Sequence, residues 1–357
     1  MGCGNKKKLK NRTLQIADYL ISDDSKPFVI AEIGANHQGS VELCENLFEL
    51  AAKAGVDAVK LQKRENRELF MPSMFNQPYV GPTSFAPTYG LHREFLELNL
   101  EQYKHLQRYA TKLGLIFFAT ATDKKSIDFL IELNVPAIKI ASADLYSTPL
   151  IKYASKFGIP LIMSTGGSDE YNIDRAMSFV NPRKVGLLQC TAMYPANAAE
   201  MNLNVISTFR KRYPETVIGL SSHDRGISFP VIATVLGARI IEKHFTSDRS
   251  LKGTDHSFSL EPSGMERMCR DIKNTLVAMG SFEKSIHPAE IPIIKKFGKM
   301  LVYKRNLELG KIVEEEDIEI RAPMEGEHAF RLDEIIGKKL NKNVIGLTPV
   351  KFSDFSS

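Results

Sequence analysis

The run "ARIIEKHFT" (238–246) is apolar and β-branched until it ends on an acid, a lysine and an imidazole: Glu242, Lys243 and His244. A single ending of this kind is read most simply as a strand reaching solvent. Seven other short apolar runs, however, close on polar groups as well. "FVIAEIG" (28–34) carries Glu32, "AVKLQ" (58–62) Lys60 and Gln62, "LIFFATAT" (115–122) Thr120 and Thr122, and "AIKIAS" (137–142) Lys139 and Ser142. "PLIMSTGG" (160–167) carries Ser164 and Thr165, "VGLLQCT" (185–191) Gln189 with Tyr194 just beyond, and "VIGLSSHD" (217–224) Ser221 and His223. Packing does not account for eight polar endings together, so they form the candidate site. Two lysines and several hydroxyls suit an anion bearing phosphate and carboxylate, with lysine as a point charge and hydroxyls as directional donors. His223 and His244 end the last two runs. Neighbouring strands lie about 4.8 Å apart, so two imidazoles there can share one divalent ion completed by substrate and water; a purely structural histidine pair is the other reading. The competing chemistry is a Schiff base between Lys60 or Lys139 and a carbonyl substrate.

The elements that must position these groups repeat. After each run comes a polar turn and an amphipathic stretch such as "VELCENLFELAAKAG" or "KKSIDFLIELN", with apolar residues three and four apart. "AGV", "LGL" and "FGI" mark helix ends passing through glycine into the next strand. Eight such units in about 250 residues predict a (β/α)₈ TIM barrel over 28–285, with the site at the C-terminal ends of the strands. A doubly wound open sheet is disfavoured, since no GxGxxG follows the first strand. Between Gln62 and Leu115 there is room for an added loop rich in Pro, Tyr and Phe, and loops of that length tend to be functional. Residues 1–27 read as an N-terminal arm that begins basic, 286–298 as a linker, and 299–357 as a small, mainly β domain.

Bulk properties exclude some classes. The net charge of +5 comes from 47 basic and 42 acidic residues mixed along the chain, which gives no basic face for nucleic acid. No apolar run approaches the roughly 20 residues of a membrane span. Cys3, Cys44, Cys190 and Cys269 form no CxxC pair and read as reduced thiols of a cytoplasmic protein. Gly2-Cys3 invites a lipidation reading, but Lys6 breaks the myristoylation pattern.

The stretches "AEIGANHQGS", "AVKLQ", "TYGLHREFLEL", "ELNVPAIKIAS", "STGG", "LLQCTAMYP", "IGLSSHDRG", "EKHFT" and "KGTDHSFSLEP" closely resemble those of sialic acid (N-acetylneuraminate) synthases, and cover nearly the whole barrel. The tail resembles the antifreeze-like (SAF) domain of the same enzymes. The resemblance implies condensation of phosphoenolpyruvate with an N-acetylmannosamine. It gives Lys60, Thr120, Lys139, Ser142, Ser164 and Ser221 to phosphoenolpyruvate. His223 and His244 go to a divalent ion, Mn²⁺ or Mg²⁺, and Glu32, Gln62, Tyr194 and Asp255 to the amino sugar. It also implies a domain-swapped homodimer whose tail lends an arginine to the partner's site. There the match loosens: "IRAPMEGEHAF" stands where relatives read Lys-Arg-Pro-Gly, and the residue is Arg321, Arg331 or neither, Arg321 being carried forward. The acceptor is left open among N-acetylmannosamine, its 6-phosphate and the diacetamido sugars of legionaminic and pseudaminic acids. Other classes weighed are a lysine-based aldolase and a non-enzymatic binder. Because inward lysines need negative partners, which phosphoenolpyruvate supplies, replacing either by Met is expected to leave stability unchanged or raise it.

Overall fold

The computed structural model describes residues 12–356; the basic stretch 1–10, with Cys3, lies outside them. Eight parallel strands close a barrel: β3 (Phe28–Gly34), β4 (Ala58–Lys63), β5 (Ile116–Ala121), β6 (Ile138–Ile140), β7 (Leu161–Ser164), β8 (Val185–Cys190), β9 (Val217–Ser222) and β10 (Ile240–His244), with β10 pairing back to β3. Each falls within one of the eight apolar runs except β4, which runs one residue past "AVKLQ" to Lys63. These strands are buried on both faces, so they read as continuous apolar runs rather than as alternation. Helices such as Val41–Lys53, Leu100–Lys112 and Lys124–Glu132 pack their apolar stripes around the outside. Ser40, Asn99 and Asp123 start them by accepting the backbone N–H two or three residues into the helix.

The N-terminal segment departs from the expected arm. Residues 13–22 form an antiparallel hairpin, β1 (Thr13–Ile16) with β2 (Tyr19–Ser22). Leu14, Ile16 and Ile21 are buried in the barrel's core cluster. The hairpin lies at the N-terminal end of the strands: β1 packs on Pro182–Lys184, the turn entering β8. Arg12 and Arg210 both pair with Asp23. A side chain at Gly186 would meet Ile240 Cδ1 at 2.4 Å and Leu14 Cδ2 at 3.4 Å, so the hairpin plugs the floor of the barrel and glycine makes room for it.

The long segment after β4 is ordered into short helices, Asn66–Leu69, Pro72–Phe75 and Tyr89–Phe95. Tyr79, Phe85, Tyr89 and Phe95 cluster around the buried His92, which explains the aromatic content of this segment.

The chain divides into two compact units between Gly280 and Ser281, five residues before the expected end of the barrel. The stretch expected as a linker, 286–298, holds a helix, Ile291–Phe297, within the second unit. That unit has a two-stranded antiparallel sheet, β11 (Met300–Tyr303) with β12 (Ile318–Arg321). Its own core is built on Leu301, Tyr303, Val313, Ile335, Leu340 and Val350. Among the described residues, no helix is long and apolar enough to cross a membrane.

Candidate active site

Register decides which strand-end residues meet. Across the barrel His244 is level with Glu32, Glu32 with Lys60, Thr120 with Lys139, and Ser221 with Glu242. These side chains line one cavity of about 710 Å³. Of the residues expected at the site, Glu32, Lys60, Gln62, Thr120, Lys139, Ser142, Ser164, Tyr194, Ser221, His223, Glu242, His244 and Asp255 all line it. A second depression, of about 520 Å³, between the helices Ser228–Val235 and Pro262–Met279 has Asp271 as its one ionisable lining group.

Three residues of the barrel are not brought there. Thr122 Oγ1 donates toward the Lys63 carbonyl, Thr165 Oγ1 to the Leu188 carbonyl, and Gln189 Nε2 to the Met201 carbonyl. Alternation explains the last case: on β8 it is Cys190, one residue on, that lines the cavity. Arg321 belongs to the second unit, is exposed, and pairs with Glu319 at 2.6 Å.

The floor is a network of balanced charge. Lys60 is ion-paired with Glu32, both side chains 2% exposed, and its Nζ donates to Thr120 Oγ1 at 2.8 Å. Gln62 Nε2 donates to Glu32 Oε1 at 2.6 Å. Lys139 Nζ lies 3.6 Å from Glu242 Oε1, which also accepts from Ser221 Oγ at 3.2 Å. The lysines therefore have carboxylate partners within the protein itself. This overturns the expectation that removing one relieves strain: Lys60→Met or Lys139→Met strands a buried carboxylate instead. The two carboxyls are driven apart. Burial and the charge of Glu242 push Glu32 up, against the pull of Lys60. Glu242, despite burial, is pulled below the usual range by Lys139, Lys60 and the two imidazoles. Burial likewise pushes Lys139 down, opposed by Glu242.

On one wall Ser142 Oγ accepts from the Gly166 N–H at 3.0 Å and donates to Cys190 Sγ at 3.4 Å. Ser164 Oγ is buried with no hydrogen-bond partner, and so is Glu242 Oε2. Next to this wall, where Cys190 Sγ lies 4.0 Å from His223 Nδ1, the His223 and His244 rings are 5.4 Å apart, with Tyr194 4.2 Å from His223 and Phe258 4.9 Å from His244. His223 Nδ1 lies 2.8 Å from the Thr191 carbonyl, so it carries the proton and leaves Nε2 a lone pair. His244 Nδ1 is buried without a hydrogen-bond partner and lies 3.7 Å from Asp255 Oδ2. Burial pushes His244 down, toward the neutral form that ligates metals. Two imidazoles 5.4 Å apart fit a divalent ion, but among the described residues no group of three or more His, Cys, Asp or Glu is arranged to hold one. The protein's share would be two donors.

Several lining residues were not in the sequence-based set: Arg64, Arg93, Tyr146, Cys190, Thr254 and Phe258. Arg64 continues the Lys60, Gln62 alternation one residue past β4, a signal that was available. Arg93 comes from the long insertion and has no such phase.

Gly34 holds a positive φ of 55°, and a Cβ there would stand 3.3 Å from both Glu32 Oε1 and Gln62 Nε2. The backbone turns out of β3 in a conformation that favours glycine, right beside the charge network.

Fold and cavity together define a (β/α)₈-barrel protein whose strand ends gather lysines, carboxylates and hydroxyls beside a histidine pair in one cavity. The chain belongs to the NeuB family, that of the sialic acid synthases: the family model matches residues 47–284, and the SAF domain model matches residues 298–356. It is 37% identical over 288 residues to human N-acetylneuraminate-9-phosphate synthase, covering 80% of each chain. It is 33% identical over 324 residues to N,N'-diacetyllegionaminic acid synthase of Campylobacter jejuni, covering 89% of this chain and 97% of that one. The crystal structure of the N-acetylneuraminic acid synthetase of Leptospira borgpetersenii in complex with citrate matches with a TM-score of 0.70 and 29% identity, over 80% of this chain and 95% of that one.

Proposed function

We propose that the protein is a phosphoenolpyruvate-dependent, C–C bond-forming transferase. It condenses phosphoenolpyruvate with N-acetylmannosamine or its 6-phosphate to give N-acetylneuraminate or its 9-phosphate, plus phosphate. The observation that carries this reading is the floor. Two buried lysines, four hydroxyls and two carboxyls driven to different protonation tendencies converge beside two imidazoles in one cavity.

Lys60 and Lys139 hold the carboxylate and phosphate of the substrate, and Thr120, Ser142, Ser164 and Ser221 give directional hydrogen bonds. Ser164 Oγ, buried without a partner, is placed to donate. The alkene carbon attacks the aldehyde carbon of the open-chain sugar. Positive charge develops at the former enol carbon, and water adds there. The resulting tetrahedral intermediate breaks its C–O bond to release phosphate. Lys60 and Lys139 bring the reactants together and lower the cost of the charge that moves, which is where most of the acceleration arises. Glu32, held by Gln62 and pushed toward protonation by burial, orients the sugar and relays the proton between water and the new hydroxyl. Gln62, Tyr194 and Asp255 hold the remaining polar groups of the sugar. A Mn²⁺ or Mg²⁺ ion on His223 and His244 would supply Lewis acidity toward the aldehyde oxygen.

The assembly proposed is a cytoplasmic homodimer in which one copy's tail, through Arg321, completes the sugar side of the other copy's cavity. Mixing Lys60→Ala protein with a chain ending near residue 297 then restores some activity, whereas an active monomer in sedimentation sinks the dimer. The function itself is tested by phosphate release from phosphoenolpyruvate with each candidate sugar in turn. The 33% identity to a legionaminic acid synthase keeps the diacetamido sugars in that panel. A borohydride-trapped adduct on Lys60 or Lys139 would replace the condensation with aldolase chemistry.

A further inference from the structure

Two guanidiniums in the cavity are not used by the mechanism above. Arg64 and Arg93 both line it. The lysines of the floor are paired with Glu32 and Glu242, yet neither arginine makes an ion pair with a carboxylate of the described residues. Each is instead held by neutral groups. Arg64 Nη2 donates to the side-chain oxygen of Gln62 at 2.5 Å, and Arg93 Nε donates to Tyr89 Oη at 3.1 Å, its guanidinium 5.3 Å from that ring's centre. The two are near enough to repel: after burial, the charge of Arg93 is what pushes Arg64 down.

Position separates them from the floor. Lys60, Gln62 and Arg64 follow one another at alternate positions, and each two-residue step climbs about 6–7 Å along a strand. Arg64 therefore stands toward the mouth, beyond the sugar-side Gln62. Asp255, the other sugar-side group, is pulled down against burial first by His244 and the Thr254 hydrogen bond, and further by Arg93 and Arg64. Paired like charges with free donors are a poor arrangement for stability alone and a good one for a phosphate monoester, which guanidinium grips with two parallel hydrogen bonds.

Resting on the condensation proposed above, we propose that Arg64 and Arg93 form a second anion subsite at the cavity mouth, which takes a phosphate monoester on the far end of the acceptor sugar. The acceptor is then a phosphorylated N-acetylhexosamine rather than the neutral sugar. The two phosphates of the reaction go to different cations: phosphoenolpyruvate's to the lysine floor, the sugar's to the arginine mouth.

The test uses the full chain with initial rates of phosphate release, comparing N-acetylmannosamine with its 6-phosphate, for wild type, Arg64→Met, Arg93→Met and Arg93→Lys. The wild type is expected to favour the phosphorylated sugar by at least about tenfold in kcat/KM. Each Met variant should lose about ten- to a hundredfold on it, mainly through KM. The KM for phosphoenolpyruvate should stay within twofold in both Met variants. The slow rate with the neutral sugar should stay within twofold in Arg93→Met, which leaves the Arg64–Gln62 hydrogen bond in place, and Arg93→Lys should recover part of the loss. Equal use of both sugars by the wild type overturns the inference and leaves the condensation standing. A rise in the phosphoenolpyruvate KM in the Met variants overturns it too, because the arginines then serve the other phosphate. No turnover with any N-acetylated sugar removes the condensation and this inference together. Should a Met variant fold poorly, calorimetric titration of the 6-phosphate sugar into wild type and Arg93→Lys gives the same reading, and no heat of binding to the wild type overturns the subsite.

Discussion

Lys60→Met separates two reasons for a buried lysine at the bottom of the cavity. If phosphoenolpyruvate were its one negative partner, the empty protein would gain stability on losing it. The structure gives the opposite expectation. Lys60 and Glu32 are an ion pair with both side chains 2% exposed. With Lys60 gone, Glu32 keeps a single donor, Gln62. Breaking a buried pair from one side costs about 3–5 kcal/mol. Glu32 escapes part of that by taking up a proton, so the lower end, about 3 kcal/mol, is expected near pH 7.5. The sign with pH follows from the same group. Burial already raises Glu32 above its ordinary 4.5, and loss of Lys60 raises it further. A raised carboxyl contributes fully below the unfolded pKa, and that contribution is lost as pH climbs through the folded one. The deficit of the variant should therefore be small near pH 4.5 and widen toward neutrality. The chain has no tryptophan, so urea unfolding is best followed by far-UV circular dichroism. Glu32→Gln on the Lys60→Met background should recover at least half the loss by removing the stranded charge. Phosphoenolpyruvate affinity, measured by calorimetry, should fall about ten- to a hundredfold, the value of a charge-assisted hydrogen bond, and should not recover in the double variant. A Lys60→Met protein as stable as the wild type at pH 7.5 would refute the reasoning.

Asp144 offers a second pH experiment: burial pushes it from 3.8 to about 6, against the pull of Arg64 and Lys139. Asp144→Asn should be more stable than wild type above pH 6, by at most about 3 kcal/mol, with the gain fading toward pH 4; a constant difference across that range would contradict it. Gly34→Ala should keep its fold but lose about 1 kcal/mol to the positive φ and about tenfold in kcat/KM as Glu32 and Gln62 are displaced, checked by thermal melts alongside initial rates. Exhaustive chelation should abolish phosphate release, with Mn²⁺ or Mg²⁺ restoring it in wild type and not in His223→Ala or His244→Ala, while calorimetric binding of phosphoenolpyruvate persists in all; full turnover of chelated protein would end the metal proposal.

The barrel was legible because its strands are largely buried on both faces and four helices turn back through Gly55, Gly114, Gly158 and Gly237, so run length and order carried the topology. The floor hairpin was not. "TLQIADYLIS" is short, follows a basic stretch, and its buried Leu14, Ile16 and Ile21 make sense only once there is a barrel end to plug. At the site, residues that sit in phase with a strand were legible and those from loops were not. Lys60, Thr120, Lys139 and Ser221 follow from alternation; Arg93 depends on how the insertion folds back. Gln189 was assigned to the cavity because it is polar, and the phase of β8 gives that place to Cys190 instead.

The same alternation settles what "EKH" means at the end of β10. Glu242 and His244 face the cavity, while Lys243 between them is on the other side of the strand, 1% exposed. There its Nζ meets Asp224 Oδ1 at 2.6 Å, and the Ser222 hydroxyl donates to the same carboxylate. Ser222 and Asp224 flank His223 just as Lys243 adjoins His244. Charge on the outer face is thus spent on joining the ends of two adjacent strands, and charge on the inner face is left for chemistry. A buried ion pair adds little net stability over an apolar substitute, so its value here lies in position. It fixes the separation of two strand ends, and with it the spacing of the two imidazoles. An acid, a base and an imidazole in a row are therefore not one catalytic triplet: alternate residues serve the reaction, and the residue between them holds the others in register.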